Sequence, residues 1–143
     1  MGKWATRKMI RVNRAATCWL IKRFIDKDAE FLFVDQNEVA GLQEREGVTG
    51  FDAPGATYPH RDAQGRIVFE ALVAEHCPGD KALVAMAKFA HVADVGSGTS
   101  PEAAGVRAIS MGFPFVATSD HEIVEKSAFM YDSLYATLAR QNK

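Results

Sequence analysis

The sequence predicts an α+β fold: a small β-sheet with a βαβ unit in the N-terminal half, covered by a predominantly helical C-terminal half. Three observations predict it. Residues 1–34 read in turn as strand, helix and strand, and from residue 69 onward the apolar pattern takes on a helical period. A chain of 143 residues with 48% hydrophobic content is also enough to bury one core, so residues 1–143 read as a single domain.

Residues 4–12 alternate loosely, as a half-buried strand does. Asn13 then suits the N-cap of a helix reaching Asp26, with Ala15, Cys18, Trp19, Leu20, Ile21 and Ile25 as a broad apolar face. Residues 30–34, rich in aromatic and β-branched side chains, read as a short buried strand, so the three elements form a βαβ unit with a right-handed crossover. Residues 37–45 form a short helix ended by Gly47, and residues 51–55 carry turn chemistry around Pro54-Gly55. Residues 57–60 and 67–70 flank Gly65 and read as a hairpin.

Helices follow over residues 69–76, 80–93, 101–112 and 120–140. Ser100-Pro101 is a cap followed by proline at the first helical position, and Ser119 to Glu122 fits a capping box. In the last helix Ile123, Ser127, Met130, Leu134 and Leu138 mark the inward stripe. Residues 96–100 read as a helix connection, or as a rim over a neighbouring site. The apolar run at residues 111–116 reads as a contact between copies, giving a homo-oligomer, or as a lid.

Composition excludes several function classes. A net charge of -1 gives no general basic field for nucleic acid. No stretch approaches the roughly 20 apolar residues of a membrane span. The N-terminus lacks the apolar core of a signal peptide, so a cytoplasmic protein is expected. Cys18 and Cys77 are too few for a disulfide framework. Cys18 reads as a buried thiol, and Cys77 has no companion at zinc-site spacing. No P-loop, dinucleotide fingerprint or Ser-His-Asp elbow is present.

Two constellations carry chemistry. The first is His60, Glu70, His91 and Asp94. His91 and Asp94 share a helix face, and His60 and Glu70 would lie across the expected hairpin. Two imidazoles and two carboxylates suit a divalent first-row metal such as manganese, iron or zinc, with open positions for substrate. The bland alternative makes His60 a solvated loop residue, Glu70 a helix-start carboxylate and His91 a helix-dipole partner. The second constellation is cationic: Arg7, Arg11, Arg14, Lys22 and Arg23, with Lys3 and Lys8. Arg7 and Arg14 are the candidate catalytic groups, converging near a helix N-terminus to orient an anionic small molecule or oxyanion. The alternative is a solvated face with ion pairs to Asp26, Asp28 or Asp52. Tyr58, His121, Asp132 and Tyr135 complete the proton-transfer candidates, while Trp4 and Trp19 read as core anchors.

Trp4-x-Thr6-Arg7, Arg14-x-Ala16-x-x-Trp19-Leu20-Ile21-x-Arg23-Phe24-Ile25-Asp26 and Phe31-x-Phe33 resemble the C-terminal domain of the chromate-resistance ChrB family. The likeness continues through Phe51-Asp52, His60, Phe69-Glu70, His91-x-x-Asp94, Pro101-Glu102-x-x-Gly105 and Tyr131-Asp132-x-Leu134-Tyr135. Asn13, Ile67 and Val92 depart from the family pattern, which has Asp, Cys and Asp there. The loss of the Cys argues against thiol-based chromate chemistry. Because all four candidate ligands survive, the resemblance implies a metal-dependent small-molecule enzyme, redox or hydrolytic. The rival expectation is a non-catalytic sensor or regulator that responds to chromate through the arginine cluster. Family members carry a further N-terminal region, so a DNA-binding role is not carried over.

Overall fold

The computed structural model describes residues 2–95 and 100–141. The elements in chain order are β1 (Lys3–Arg7), α1 (Val12–Leu20), a π-helical turn (Ile21–Ile25), β2 (Glu30–Val34), a 3₁₀ turn (Gln36–Glu38), α2 (Val39–Glu46) and β3 (Thr49–Gly50). Five helices follow: α3 (Val68–His76), α4 (Lys81–Val95), α5 (Pro101–Met111), α6 (Phe113–Val116) and α7 (Asp120–Gln141). The expected α+β class is what is found.

The sheet is parallel throughout, in the order β2-β1-β3. Alternation along β1 splits its side chains between two layers. Trp4 enters the large core with Trp19, Phe31, Phe51, Phe69 and Tyr131, whereas Ala5 joins Val39, Leu42, Val48 and Ala53 under α2. Helix α1 packs against α3, α4, α5 and α7, and α2 against β1 and β3. The chain therefore leaves β1 by one face of the sheet and reaches β3 by the other. The carboxyl end of β1 lies at that change of direction, where ligand crevices form in parallel sheets.

Local chemistry explains several element ends. Gly47 closes α2 in the left-handed conformation at φ 68. Ser100 Oγ accepts the Ala103 N–H at 3.2 Å, and Asp80 Oδ1 accepts that of Leu83 at 3.0 Å. Ser119 Oγ accepts the Glu122 N–H at 3.1 Å, but the Glu122 carboxylate returns to the N–H of Thr118, at 2.6 Å. The expected inward residues Ile123, Ser127 and Leu138 are buried, joined by Tyr131, while Met130 and Leu134 are half-buried. Trp4 and Trp19 are core residues, and Cys18 is fully buried, which pushes its thiol pKa well up.

Three expectations are corrected. Residues 57–60 and 67–70 do not make a hairpin. Tyr58 forms a parallel bridge to Phe51, and residues 68–70 already belong to α3. The Asp62 carboxylate closes the intervening turn by accepting the N–H groups of Gln64 and Arg66 and the Arg66 Nε–H. Those local donors hold Asp62 below its ordinary pKa. Val68, Phe69, Leu72 and Val73 then bury a helical face. Asn13 is not a cap: Arg11 holds that position without a side-chain bond, and Asn13 is buried inside α1. Its amide donates to Asp52 at 3.4 Å, so a buried carboxylate claims it. Strand β3, finally, lies within a stretch that carried no strand expectation, because two residues are too few to show a period. The connection at residues 96–100 lies outside the described residues, apart from Ser100. Among the described residues, no helix is long and apolar enough to cross a membrane.

Candidate functional site: an arginine-lined cleft

The side chain of Asp52 organises the site. It follows β3, is only 3% exposed, and sits at φ 54, a left-handed conformation that Asp tolerates better than most residues. Three neighbours converge on it. Arg7, the last residue of β1, donates through Nε to the Asp52 carbonyl at 2.9 Å and through Nη2 to Oδ1 at 3.2 Å. Asn13, in the first turn of α1, donates to Oδ2. His60 lies 2.8 Å from Oδ1 through Nδ1. A carboxylate can only accept, so Nδ1 carries the proton and Nε2 faces away from the pair.

Around Asp52 opens a cleft of about 540 Å³, with walls from the ends of β1 and β2, the start of α1, and α5. Its cations are Arg7, Lys8, Arg11, Arg14 and Arg107, and its carboxylates are Asp35, Asp52 and Asp94. Every carboxylate is already matched: Lys8 to Asp35 at 3.2 Å, Arg7 to Asp52 at 3.2 Å, and Arg61 to Asp94 at 3.4 Å. Among the described residues Arg11, Arg14 and Arg107 have no carboxylate at ion-pair distance. Arg107 donates to the Ala93 carbonyl at 2.8 Å and Arg14 to the Met9 carbonyl at 2.9 Å. The Arg14 Nη1 is buried without a partner. Burial lowers the Arg14 pKa from its ordinary value, with the charge of Arg7 the next cause, while Asp52 and Asp120 oppose the shift. A guanidinium in that setting gains from an anion.

The strained segment before α1 is held from the far end of the chain. Met9 has φ 64, and the N–H groups of Met9 and Ile10 donate to the Asp120 carboxylate at 3.0 and 2.9 Å. That contact fixes the angle at which Arg11 and Arg14 enter the cleft. The first turn of α1 carries neither an acidic residue nor a side-chain cap, so its N–H groups add to the positive character.

The four candidate metal ligands divide into separate pairings. His60 is bound to Asp52. His91 Nδ1 lies 2.6 Å from Glu70 Oε1, and the same oxygen accepts the Ile67 N–H at 3.0 Å, making Glu70 the opening device of α3. Asp94 is paired with Arg61. Among the described residues, no three His, Cys, Asp or Glu side chains form a group able to hold a metal ion. His60 and Asp94 both line the cleft, whereas Glu70 and His91 do not. Arg7 and Arg14 do line it.

The other proton-transfer candidates have partners elsewhere. Tyr58 donates to Glu75 at 2.8 Å, and burial together with that bond raises its pKa to about 12. Tyr135 donates to Asp80, and Asp132 accepts from Trp19 and Arg23. His121 meets the ring of Phe33 edge-on. Lys22 reaches the Ala29 carbonyl at 3.4 Å. Asp52 was visible in the sequence as a turn residue, as part of the Phe51-Asp52 family motif and as one possible ion-pair partner, but not as the centre of a site, and Arg107 was not singled out at all. Nothing in the local pattern around Arg107 tells it from a surface helix cation.

Sheet topology and side chains together define an α+β domain with an arginine-rich cleft at the carboxyl ends of parallel strands. The chain belongs to the family described as ChrB, C-terminal domain, which matches residues 4–138. It is 34% identical over 142 residues to Protein ChrB of Cupriavidus metallidurans, covering 99% of this chain and 42% of that protein. The chain thus spans less than half the length of this relative. No solved structure matches it.

Proposed function

We propose that this domain of the chromate-resistance ChrB family binds a tetrahedral oxyanion group in the arginine-lined cleft, as a cytoplasmic chromate-responsive sensor or regulator. One observation carries the reading: among the described residues three guanidinium groups share a cleft without a carboxylate partner, and one of them has a buried N–H with no acceptor. A dianion there would supply the missing acceptors in the fork geometry that arginine offers. The Arg7–Asp52 pair then serves as scaffold, fixing the floor beside the incoming anion. The test is titration calorimetry with sodium chromate and sodium phosphate at fixed ionic strength. Saturable binding should weaken with added salt and disappear in an Arg14→Ala/Arg107→Ala double variant. Unchanged binding in that variant would overturn the reading.

A divalent-metal-dependent enzyme is the second reading. Its support is that both imidazoles meet their carboxylates through Nδ1, leaving Nε2 open, which is how metal-binding histidines are commonly oriented. Among the described residues the side chains as arranged do not bring three such ligands together. Elemental analysis of the purified chain decides. Stoichiometric manganese, iron or zinc that falls in His60→Ala and His91→Ala would establish the reading, and metal content indifferent to both would remove it.

A further inference from the structure

The cleft is much larger than a bare oxyanion. A water occupies about 30 Å³ of liquid, so a five-atom tetrahedral anion fills on the order of 100 Å³. The cleft measures about 540 Å³, within the range of sites for small organic molecules. Its walls are also divided in character. Beyond the arginines, Met9, Val12, Val34 and Met111 supply apolar surface, and Gln36 supplies an exposed amide. Among the described residues His60 is the one aromatic ring that lines the cleft, and Asp52 holds it, so no Phe, Tyr or Trp offers a broad face for a nucleobase.

We propose that the cleft takes a phosphorylated sugar or polyol, its phosphate group on the unpaired guanidiniums and its hydroxyl-bearing body against Gln36 and the Met111 wall. This rests on the oxyanion reading of the same cleft and adds the class of molecule that carries the anion. Each part of such a ligand meets a matching surface. A phosphomonoester dianion satisfies the buried Arg14 N–H and the excess positive charge. An aliphatic ring or chain covers the methionine and valine surface, and its hydroxyls reach the Gln36 amide. Chromate, a tetrahedral dianion like phosphate, then fills only the part of the cleft built for the head group and competes with the organic ligand there.

The test is titration calorimetry on the whole chain with four probes at one ionic strength: inorganic phosphate, glucose 6-phosphate, ribose 5-phosphate and glycerol 3-phosphate. At least one organic phosphate should bind about tenfold or more tighter than inorganic phosphate, a difference of about 1.4 kcal/mol. Unphosphorylated glucose should not bind. Gln36→Ala combined with Met111→Ala should weaken the organic phosphate and leave inorganic phosphate unchanged. Both positions are at the surface or half-buried, so the fold tolerates the change, and circular dichroism checks it. Equal affinity for inorganic phosphate and all three organic phosphates, lost in Arg14→Ala/Arg107→Ala, would overturn this proposal while leaving the oxyanion reading standing. Absence of binding by every probe would overturn this proposal, and only absence of chromate binding as well would overturn the oxyanion reading.

Discussion

Two of the imidazole–carboxylate pairs, Asp52–His60 and Glu70–His91, have nearly the same contact geometry and different surroundings. In the Asp52–His60 pair the carboxylate is buried, the imidazole is half exposed, and Arg7 and Asn13 share the same two oxygens. In the Glu70–His91 pair both groups are partly exposed, and the carboxylate also closes the first turn of α3. The first belongs to a network that joins β1, α1 and the loop after β3 at the cleft. The second joins two neighbouring helices. The lesson is that an imidazole–acid contact is not itself a site: what matters is which uncompensated charges stand beside it. Asp52 shares its cleft with three guanidiniums that have no carboxylate partner among the described residues, whereas Glu70 and His91 do not line that cleft.

The largest expected effect is at Asp52. Asp52→Ala leaves Arg7, Asn13 and His60 without their shared acceptor and puts Ala at a positive φ, so a loss of about 3–5 kcal/mol is expected from urea unfolding. Asp52→Asn tolerates the same backbone angle and separates loss of charge from strain. A loss no larger than that for Glu70 would erase the contrast between the pairs.

Arg14→Met sharpens the contrast from the other side. It retains an apolar stem and loses one bond to the Met9 carbonyl, so stability should fall by about 1 kcal/mol while oxyanion affinity falls at least about tenfold. Equal losses in folding and binding would make Arg14 a structural residue. Glu70→Ala comes next: removing the acceptor of the Ile67 N–H should cost about 1 kcal/mol, with anion affinity unchanged. An affinity loss would tie the second pair to the cleft.

The smallest effect concerns a carboxylate outside both pairs. The bond from Lys126, then those from Thr118, hold Glu122 down at about 2, from 4.5 for a free carboxylate. A depressed folded value means that its contribution is complete above pH 4.5 and is lost as pH falls toward 2. Glu122→Gln should therefore flatten the decline of stability between those limits, read as thermal midpoint against pH. Because Glu122 is partly exposed and its partner Lys126 is exposed, the change should be small beside that at Asp52.

Much of the fold was legible in the sequence because its signals are local. The apolar period of α4 and α7, the Ser100-Pro101 start of α5 and Gly47 after α2 each depend on residues within a turn or two. The strand–helix–strand order of the first 34 residues likewise shows in the sequence, and the family likeness places the same residues in register. The hairpin failed for a related reason. Both flanks alternate acceptably, but Asp62 found its donors within four residues and Glu70 capped a helix instead of facing a strand. The candidate site was half legible. Arg7 and Arg14 were marked by their clustering, whereas Asn13 passed for a cap.

By itself the sequence determined the α+β class, the succession of helices, the buried tryptophans and the family, all of which rest on periodicity, capping and residue order. Only the tertiary structure decided which charge meets which. His60 could have faced Glu70, but the chain carries Asp52 beneath it, and Arg107 enters the cleft from a helix 100 residues after β1 ends. Ion pairing is not periodic and acts between groups far apart in the chain. Each carboxylate takes the donors that folding brings within about 3 Å, and the guanidiniums left over mark the candidate site.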